Sequence, residues 1–293
     1  MMFRTIIAGC LLVLAAAGAQ ARTLNAVASF TVLADVVKQV GGAHVAVRSL
    51  VPPNGDPHEF EPSPDDARAL KGADVAFISG VGLEPWFGRL AKAAGYRGAP
   101  VSVSAGIPLL QMNEDGKTVP DPHVWNDPAN VIRWTGVVAD ALAAADPEDA
   151  EAFRANAARY VAQLKQADAD ARTRIGAIPP NRRKVLTSHD SFAYFGKAFG
   201  VTFLAPVGVS TAIEPSAATV AKLIDQIKRE KIKLYFFENS GDARLVKQIG
   251  AATGATPGGT LYVESLSPPD GPAPDYLAMF RGNVDKLADA MSR

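Results

Sequence analysis

Short apolar runs alternate with stretches of helical periodicity along the first half of the chain. The apolar runs have the length and the flanking turn residues of buried strands, and lie at 25–29, 45–50, 73–78 and 101–103. The helical stretches between them lie at 31–41, 64–71 and 86–94. This alternation is typical of parallel βαβ units. It predicts a first α/β lobe over residues 22–145.

A long helical pattern follows this lobe. It opens at Asp146, where Pro147 suits a first helical turn and Glu148 lies near the positive end of the helix dipole, and it continues to about Ile175. A helix of this length spans on the order of 40 Å at 1.5 Å per residue. We interpret residues 146–178 as a rigid helix that links two lobes.

The strand and helix pattern then resumes over residues 179–293. Strands are predicted at 184–187, 201–204, 234–237 and 258–263, and helices at 191–199, 216–231, 243–253 and 276–291. The fold class predicted from the whole pattern is therefore α/β, with two lobes of similar construction joined by the long helix.

The first 21 residues have the features of a secretory signal peptide. Arg4 provides the positive start, an apolar stretch follows, and Ala19 to Ala21 form a small-residue cleavage site. We expect the mature chain to begin near Arg22. Cys10 is the only cysteine, so the mature protein would contain neither disulfides nor thiolate metal ligands. Lipid attachment at Cys10 is disfavoured because the apolar core follows this residue rather than preceding it.

The charge balance bears on the choice of partner. The chain has 30 basic and 30 acidic residues, so its formal net charge is zero with histidines neutral. A near-neutral chain argues against nucleic acid or a membrane surface as the main partner.

Three of the four histidines lie at strand-to-helix junctions, where an open α/β sheet places its ligand crevice. They are His58, His123 and His189, and each has an aspartate nearby in sequence, respectively Asp56, Asp121 and Asp190. Imidazole nitrogens suit zinc and neighbouring transition metals, and a carboxylate often orients the ring through its other nitrogen. The fourth, His44, lies in a turn without a neighbouring carboxylate, and we expect it to be an exposed bystander.

Several motifs make a resemblance to one family specific. They are GDPHEFEPSP from Gly55, GLEPW from Gly82, DPHVW from Asp121, TSHDSFAYF from Thr187, STAIEPS from Ser210 and FFENSGDARL from Phe236. In this order the chain resembles the metal-specific substrate-binding proteins of ABC importers, the ZnuA/TroA type, over essentially its whole mature length. The resemblance implies two Rossmann-like lobes, a long backbone helix and a metal site in the cleft between the lobes.

The resemblance also implies a ligand set of His58, His123, His189 and Glu264. The family usually has aspartate at the last position, so Glu264 is a departure, and either this carboxylate or a water would complete the site. Substitutes for Glu264 in the following loop are Asp270 and Asp275. Four other residues near the motifs are predicted to have structural roles: Glu84 as a helix cap, Glu238 as an organiser between lobes, and Trp86 and Trp125 as packing residues.

A protein of this family would be a periplasmic solute-binding protein, and we expect a monomer. The implied partners are a divalent metal ion as cargo, an ABC permease of the inner membrane and a periplasmic metallochaperone. Residues 111–121, where many zinc carriers have a histidine-rich loop, contain no histidine here.

Three imidazoles and a carboxylate favour Zn²⁺ as cargo. Mn²⁺ is the alternative cargo. It is the second choice because manganese carriers of this family more often have glutamate at the third ligand position, where this chain has His189. A zinc-dependent hydrolase is a competing hypothesis, because three histidines and a water also form a catalytic site. The sequence has no HExxH helix, Gly-x-Ser-x-Gly elbow or phosphate loop, so we predict a carrier rather than an enzyme.

Overall fold

A computed structural model describes residues 23–114, 117–208 and 215–293. The predicted signal peptide and most of the STAIEPS motif lie outside these ranges. Within them, no helix combines the length and the apolar character needed to cross a bilayer.

The first lobe contains a four-stranded parallel sheet in the order β2-β1-β3-β4. Its strands are β1 (Leu24–Ala28), β2 (Val45–Ser49), β3 (Val75–Ile78) and β4 (Val101–Ser102), and its helices are α1 (Thr31–Gly41), α2 (Pro64–Lys71) and α3 (Phe87–Ala94). Helix α2 begins where its sequence predicts, because Ser63 and Asp66 form a reciprocal capping box and Pro64 occupies the first turn. Sequence and structure agree on these four strands and three helices.

Two helices follow a short antiparallel hairpin, β5 (Gln111–Glu114) and β6 (Lys117–Pro120). The sequence pattern did not assign the first, α4 (Pro128–Ala145), although Asp127 caps it by accepting a 2.9 Å hydrogen bond from the Ala129 N–H. The second is the long helix, α5 (Ala150–Gly176), which begins four residues after the predicted start.

The second lobe repeats the parallel α/β arrangement, with strand order β10-β9-β7-β8. Its strands are β7 (Lys184–Leu186), β8 (Thr202–Leu204), β9 (Leu234–Glu238) and β10 (Thr256–Leu261), and its helices are α6 (Ala193–Phe199), α7 (Ala217–Glu230), α8 (Arg244–Thr253) and α9 (Tyr276–Ser292). The predicted α/β class with two lobes is confirmed.

The long helix α5 packs against both lobes. It contacts α1 and α4 of the first lobe and α6 and α9 of the second, and its side chains Phe153, Tyr160 and Leu164 are buried in a core that includes residues of both lobes. Asp35 adds a buried polar link, since its carboxylate accepts a 2.9 Å hydrogen bond from the Tyr276 N–H at the start of α9. The exact domain limits at residues 145 and 178 stay predictions.

Candidate metal centre

Four side chains from the two lobes meet, and three of them lie in segments that follow parallel strands. His58 lies in the loop after β2, and His123 immediately precedes a single turn of 3₁₀ helix before α4. From the second lobe, His189 follows β7 and Glu264 follows β10. One nitrogen or oxygen atom from each lies within 4.8 Å of the others. The structure therefore brings together all four residues that the sequence selected.

The donor atoms point at one another. Oε1 of Glu264 lies 2.8 Å from Nε2 of His58, 3.1 Å from Nε2 of His123 and 3.2 Å from Nε2 of His189. The Nε2 atoms of His58 and His123 are 3.3 Å apart. A tetrahedral ion with bonds of about 2.0–2.1 Å holds its donors about 3.3 Å apart. The measured separations are close to that spacing.

The group is buried and its charges are coupled. Burial alone would raise the pKa of Glu264, but the positive potential of His189 and His58 outweighs it and holds this pKa well below its ordinary value. Burial likewise acts to lower the pKa of His123, but its hydrogen bonds with Asp121 and Glu264 raise the pKa overall. An ionised carboxylate thus faces three imidazoles in a site shielded from solvent, which favours a bound cation.

Neither substitute for Glu264 is part of this group. Asp270 is exposed in the loop beyond it. Asp275 caps helix α9 by accepting a 2.7 Å hydrogen bond from the Ala278 N–H.

Comparison with known proteins identifies the family. Residues 26–290 match the family model described as "Zinc-uptake complex component A periplasmic". The chain belongs to this family. Its members are substrate-binding proteins of metal ABC transporters rather than enzymes, so the comparisons do not support the hydrolase hypothesis.

Three relatives illustrate the range of metals in the family. The iron ABC transporter substrate-binding lipoprotein MtsA of Streptococcus pyogenes serotype M1 is 31% identical over 94% of this chain and 91% of its own. The periplasmic zinc-binding protein TroA from Treponema pallidum has a TM-score of 0.86 at 27% identity. The manganese-bound periplasmic metal-binding protein from Candidatus Liberibacter asiaticus has a TM-score of 0.83 at 29% identity. Both structures match 92% of this chain and 100% of their own.

Carboxylates near two histidines of this ZnuA-like chain hold them in place, one through the ring and one through the backbone. Oδ1 of Asp121 lies 2.8 Å from Nδ1 of His123 and accepts the backbone N–H of the same residue at 2.9 Å. Asp56 accepts the backbone N–H of His58 at 2.8 Å. A carboxylate at Nδ1 keeps the hydrogen of the neutral ring on that nitrogen and leaves the Nε2 lone pair facing the centre of the site.

Glu238, and not the predicted Asp190, contacts the outer nitrogen of His189. Its Oε2 contacts Nδ1 of His189, and its Oε1 accepts the backbone N–H groups of Ser188 and His189 at 2.8 and 3.1 Å. Glu238 ends β9, which lies beside β7 in the sheet, so the ends of these two parallel strands meet. Asp190 was the expected partner of His189 because it is the next residue in the sequence. Glu238 is the observed partner because its strand lies beside the strand that precedes His189.

Two other predicted roles change with the structure. Glu84 is structural, as predicted, but it does not cap α3: it joins two loops by accepting the Ser29 hydroxyl at 2.6 Å and the Ser79 N–H at 2.7 Å. His44 is outside the metal-ligand group, but it is only partly exposed, since its Nδ1 lies 2.7 Å from the carboxylate of Asp149.

Both predicted packing tryptophans also hold the residue that precedes a candidate ligand. The indole N–H of Trp86 donates to the carbonyl of Pro57 at 2.7 Å, directly before His58. The indole N–H of Trp125 donates at 2.7 Å to the carbonyl of Val263, directly before Glu264. The second bond joins the two lobes. These contacts fix the backbone from which two of the four side chains extend.

Replacing Trp125 with phenylalanine is expected to lower metal affinity by about fivefold, the equivalent of one hydrogen bond of about 1 kcal/mol. Trp134→Phe is the matched control, because Trp134 is buried in the same lobe and donates to Ser104 at 3.2 Å instead. Affinities from competition with a metal-binding dye would test the pair. Equal losses in both variants would contradict a positioning role for Trp125.

Proposed function

We propose that this chain captures Zn²⁺ through His58, His123, His189 and Glu264 and delivers it to the permease of an ABC importer. The observation that carries the proposal is the buried group of three imidazole nitrogens and one carboxylate oxygen within 4.8 Å of one another. This donor set suits zinc, whereas magnesium and calcium prefer oxygen ligands.

Manganese is the second candidate cargo, because a structural relative at 29% identity is described as manganese-bound. The relative MtsA carries iron in its name, so family membership alone does not select the ion. Zinc is favoured here because three of the four donors are nitrogen, and imidazole suits zinc while manganese tolerates a larger share of oxygen.

The division of the ligands between lobes suggests how the ion is released. His58 and His123 belong to the first lobe, and His189 and Glu264 to the second. A movement that separates the lobes at the permease would leave two donors on each side, and two donors hold an ion far more weakly than four. We propose that the protein acts in the periplasm after removal of residues 1–21. A monomeric state and a metallochaperone partner also stay predictions.

Metal content and competition test this proposal directly. Mature protein purified without added metal is expected to contain one tightly held ion per chain, and zinc is expected to displace manganese and ferrous iron in competition. The measurements are elemental analysis and equilibrium dialysis against pairs of metals. A preference for manganese would change the cargo, and the absence of a stoichiometric ion would overturn the site.

A further inference from the structure

The second lobe has a strongly basic end that the metal site does not use. Two basic segments lie at the amino ends of adjacent strands: residues 181–184 (NRRK) end at the first residue of β7, and residues 228–233 (KREKIK) come before β9. They contain seven cationic residues and one acidic residue. Since β7 and β9 are parallel neighbours, their amino ends bring both segments to one edge of the sheet. The neutral total for the chain conceals this local excess.

The basic segments line a pocket of about 770 Å³. Its polar wall includes Asn181, Arg182, Lys184, Glu230, Lys231 and Lys233. Glu230 is the only carboxylate side chain in the lining, and it lies 2.9 Å from Nζ of Lys184. The pocket therefore retains a clear excess of positive charge. Its volume is within the range of about 300–1,000 Å³ that is usual for small-molecule sites.

Three of the cations are available to a ligand. Arg182, Lys231 and Lys233 are exposed, and none of them forms an ion pair with another residue that the structure describes. Arg183 differs, because its guanidinium donates to the carbonyls of Ile178 and Gly176 at 2.7 and 2.8 Å and so completes the end of α5. The basic end thus has one structural arginine and a separate set of unpaired cations around a concavity.

We propose that this pocket binds a ligand carrying a phosphate group. Arginine and lysine are the usual partners of phosphate oxygens, and several cations around one concave site match a group with more than one negative charge. The Asn181 amide in the lining supplies a neutral hydrogen-bond donor. Cations near the end of α7 also complement its helix dipole, but that role requires neither a pocket nor contributions from two segments.

The pocket is separate from the metal centre. Leu234 at the start of β9 lines it, whereas Glu238 at the other end of the same strand contacts His189. A five-residue strand separates the two by on the order of 13 Å. Binding at the pocket is therefore testable without disturbing the metal ligands, and the inference does not depend on the proposed function.

Nitrogen-15 NMR of the metal-loaded chain would test the proposal with inorganic phosphate as the probe. Saturable shifts are expected at the amides of residues 181–184 and 231–233. The double variant Arg182→Gln, Lys233→Gln is expected to weaken binding about tenfold. The control variant Arg154→Gln, Lys165→Gln removes two exposed charges from α5, and its affinity for phosphate should change by less than about twofold.

Sedimentation with vesicles would identify the source of the phosphate group. Phosphatidylglycerol in phosphatidylcholine is compared with phosphatidylcholine alone. Saturable binding of free phosphate would indicate a soluble ligand. Selective sedimentation with phosphatidylglycerol vesicles that is lost in the Arg182→Gln, Lys233→Gln variant would indicate a lipid headgroup. Either result supports the proposal. Equal losses in the pocket and control variants, or no binding of either phosphate probe, would overturn it.

Discussion

Replacing His189 with alanine is expected to lower metal affinity by at least about a hundredfold, since altering even an outer partner of a metal ligand costs about tenfold to a hundredfold. His189 is 3% exposed, and its Nε2 lies 3.2 Å from Glu264. Alanine would remove one of four donors and leave the carboxylates of Glu264 and Glu238 without their shared partner. Competition against a chelator of known affinity would measure the change.

His44→Ala is the matched control for this variant. It also removes one imidazole, but His44 pairs with Asp149 at 2.7 Å, outside the metal-ligand group. Its affinity should stay within about twofold of the original. Thermal unfolding of both variants without metal would separate a lost ligand from a lost fold. A His189→Ala protein that folds and binds as tightly as the control would exclude His189 as a ligand.

Acidification is expected to produce the second large effect, a steep loss of metal affinity. Burial acts to lower the pKa of His189, but the negative charges of Glu238 and Glu264 outweigh it and hold this pKa well above its ordinary value. The pKa of His123 is also raised. Protons and metal compete for the same Nε2 atoms, so a raised pKa makes protonation compete at a higher pH.

The loss of metal affinity is therefore expected to begin above pH 6.5, because the pKa of both His123 and His189 is raised above the ordinary histidine value of about 6.5. Each proton that the metal must displace lowers the metal affinity about tenfold per pH unit of acidification. Two histidines that titrate together lower it by up to about a hundredfold per pH unit. Affinities measured from about pH 8 to about pH 5.5 would show the slope. An affinity that stays constant across this range would contradict a site built from histidines.

Glu238→Gln provides an internal check on that profile. Removing this negative charge should lower the pKa of His189, so the loss of affinity should begin at a lower pH than in the original protein. The variant also weakens binding at neutral pH, because the ring loses its orienting carboxylate. A weaker site with an unchanged pH profile would show that Glu238 holds the backbone of His189 without affecting its proton.

The extent to which sequence predicted this molecule differs between local and long-range features. The strands and most helices follow from periodicity, and α2 could be assigned from Ser63, Pro64 and Asp66 alone because its capping signals are adjacent in the chain. Helix α4 had a similar signal in Asp127 and Pro128 but was missed, since it follows a hairpin rather than a strand of the parallel sheet.

The candidate site shows the same division. His58, His123 and His189 are predicted from their positions at strand-to-helix junctions, whereas Glu264 is predicted only through the family resemblance. The contact of Glu238 with His189 depends on which strands are neighbours in the sheet, and the bond from Trp125 to Val263 depends on how the lobes face each other. Neither relation is encoded in local spacing, so the structure was needed to find both.

The separation of the candidate ligands along the chain has a consequence for folding. His58 and Glu264 are 206 residues apart, yet their donor atoms are 2.8 Å apart. An ion held by both would bind the folded chain in preference to the unfolded chain, because the donors come together only on folding, and its binding free energy would add to the stability of the fold. In a mature chain expected to lack cysteine, and therefore disulfides, the cargo itself would stabilise the contact between the lobes. The metal-bound protein would then resist proteolysis and become more susceptible to it once the ion is released.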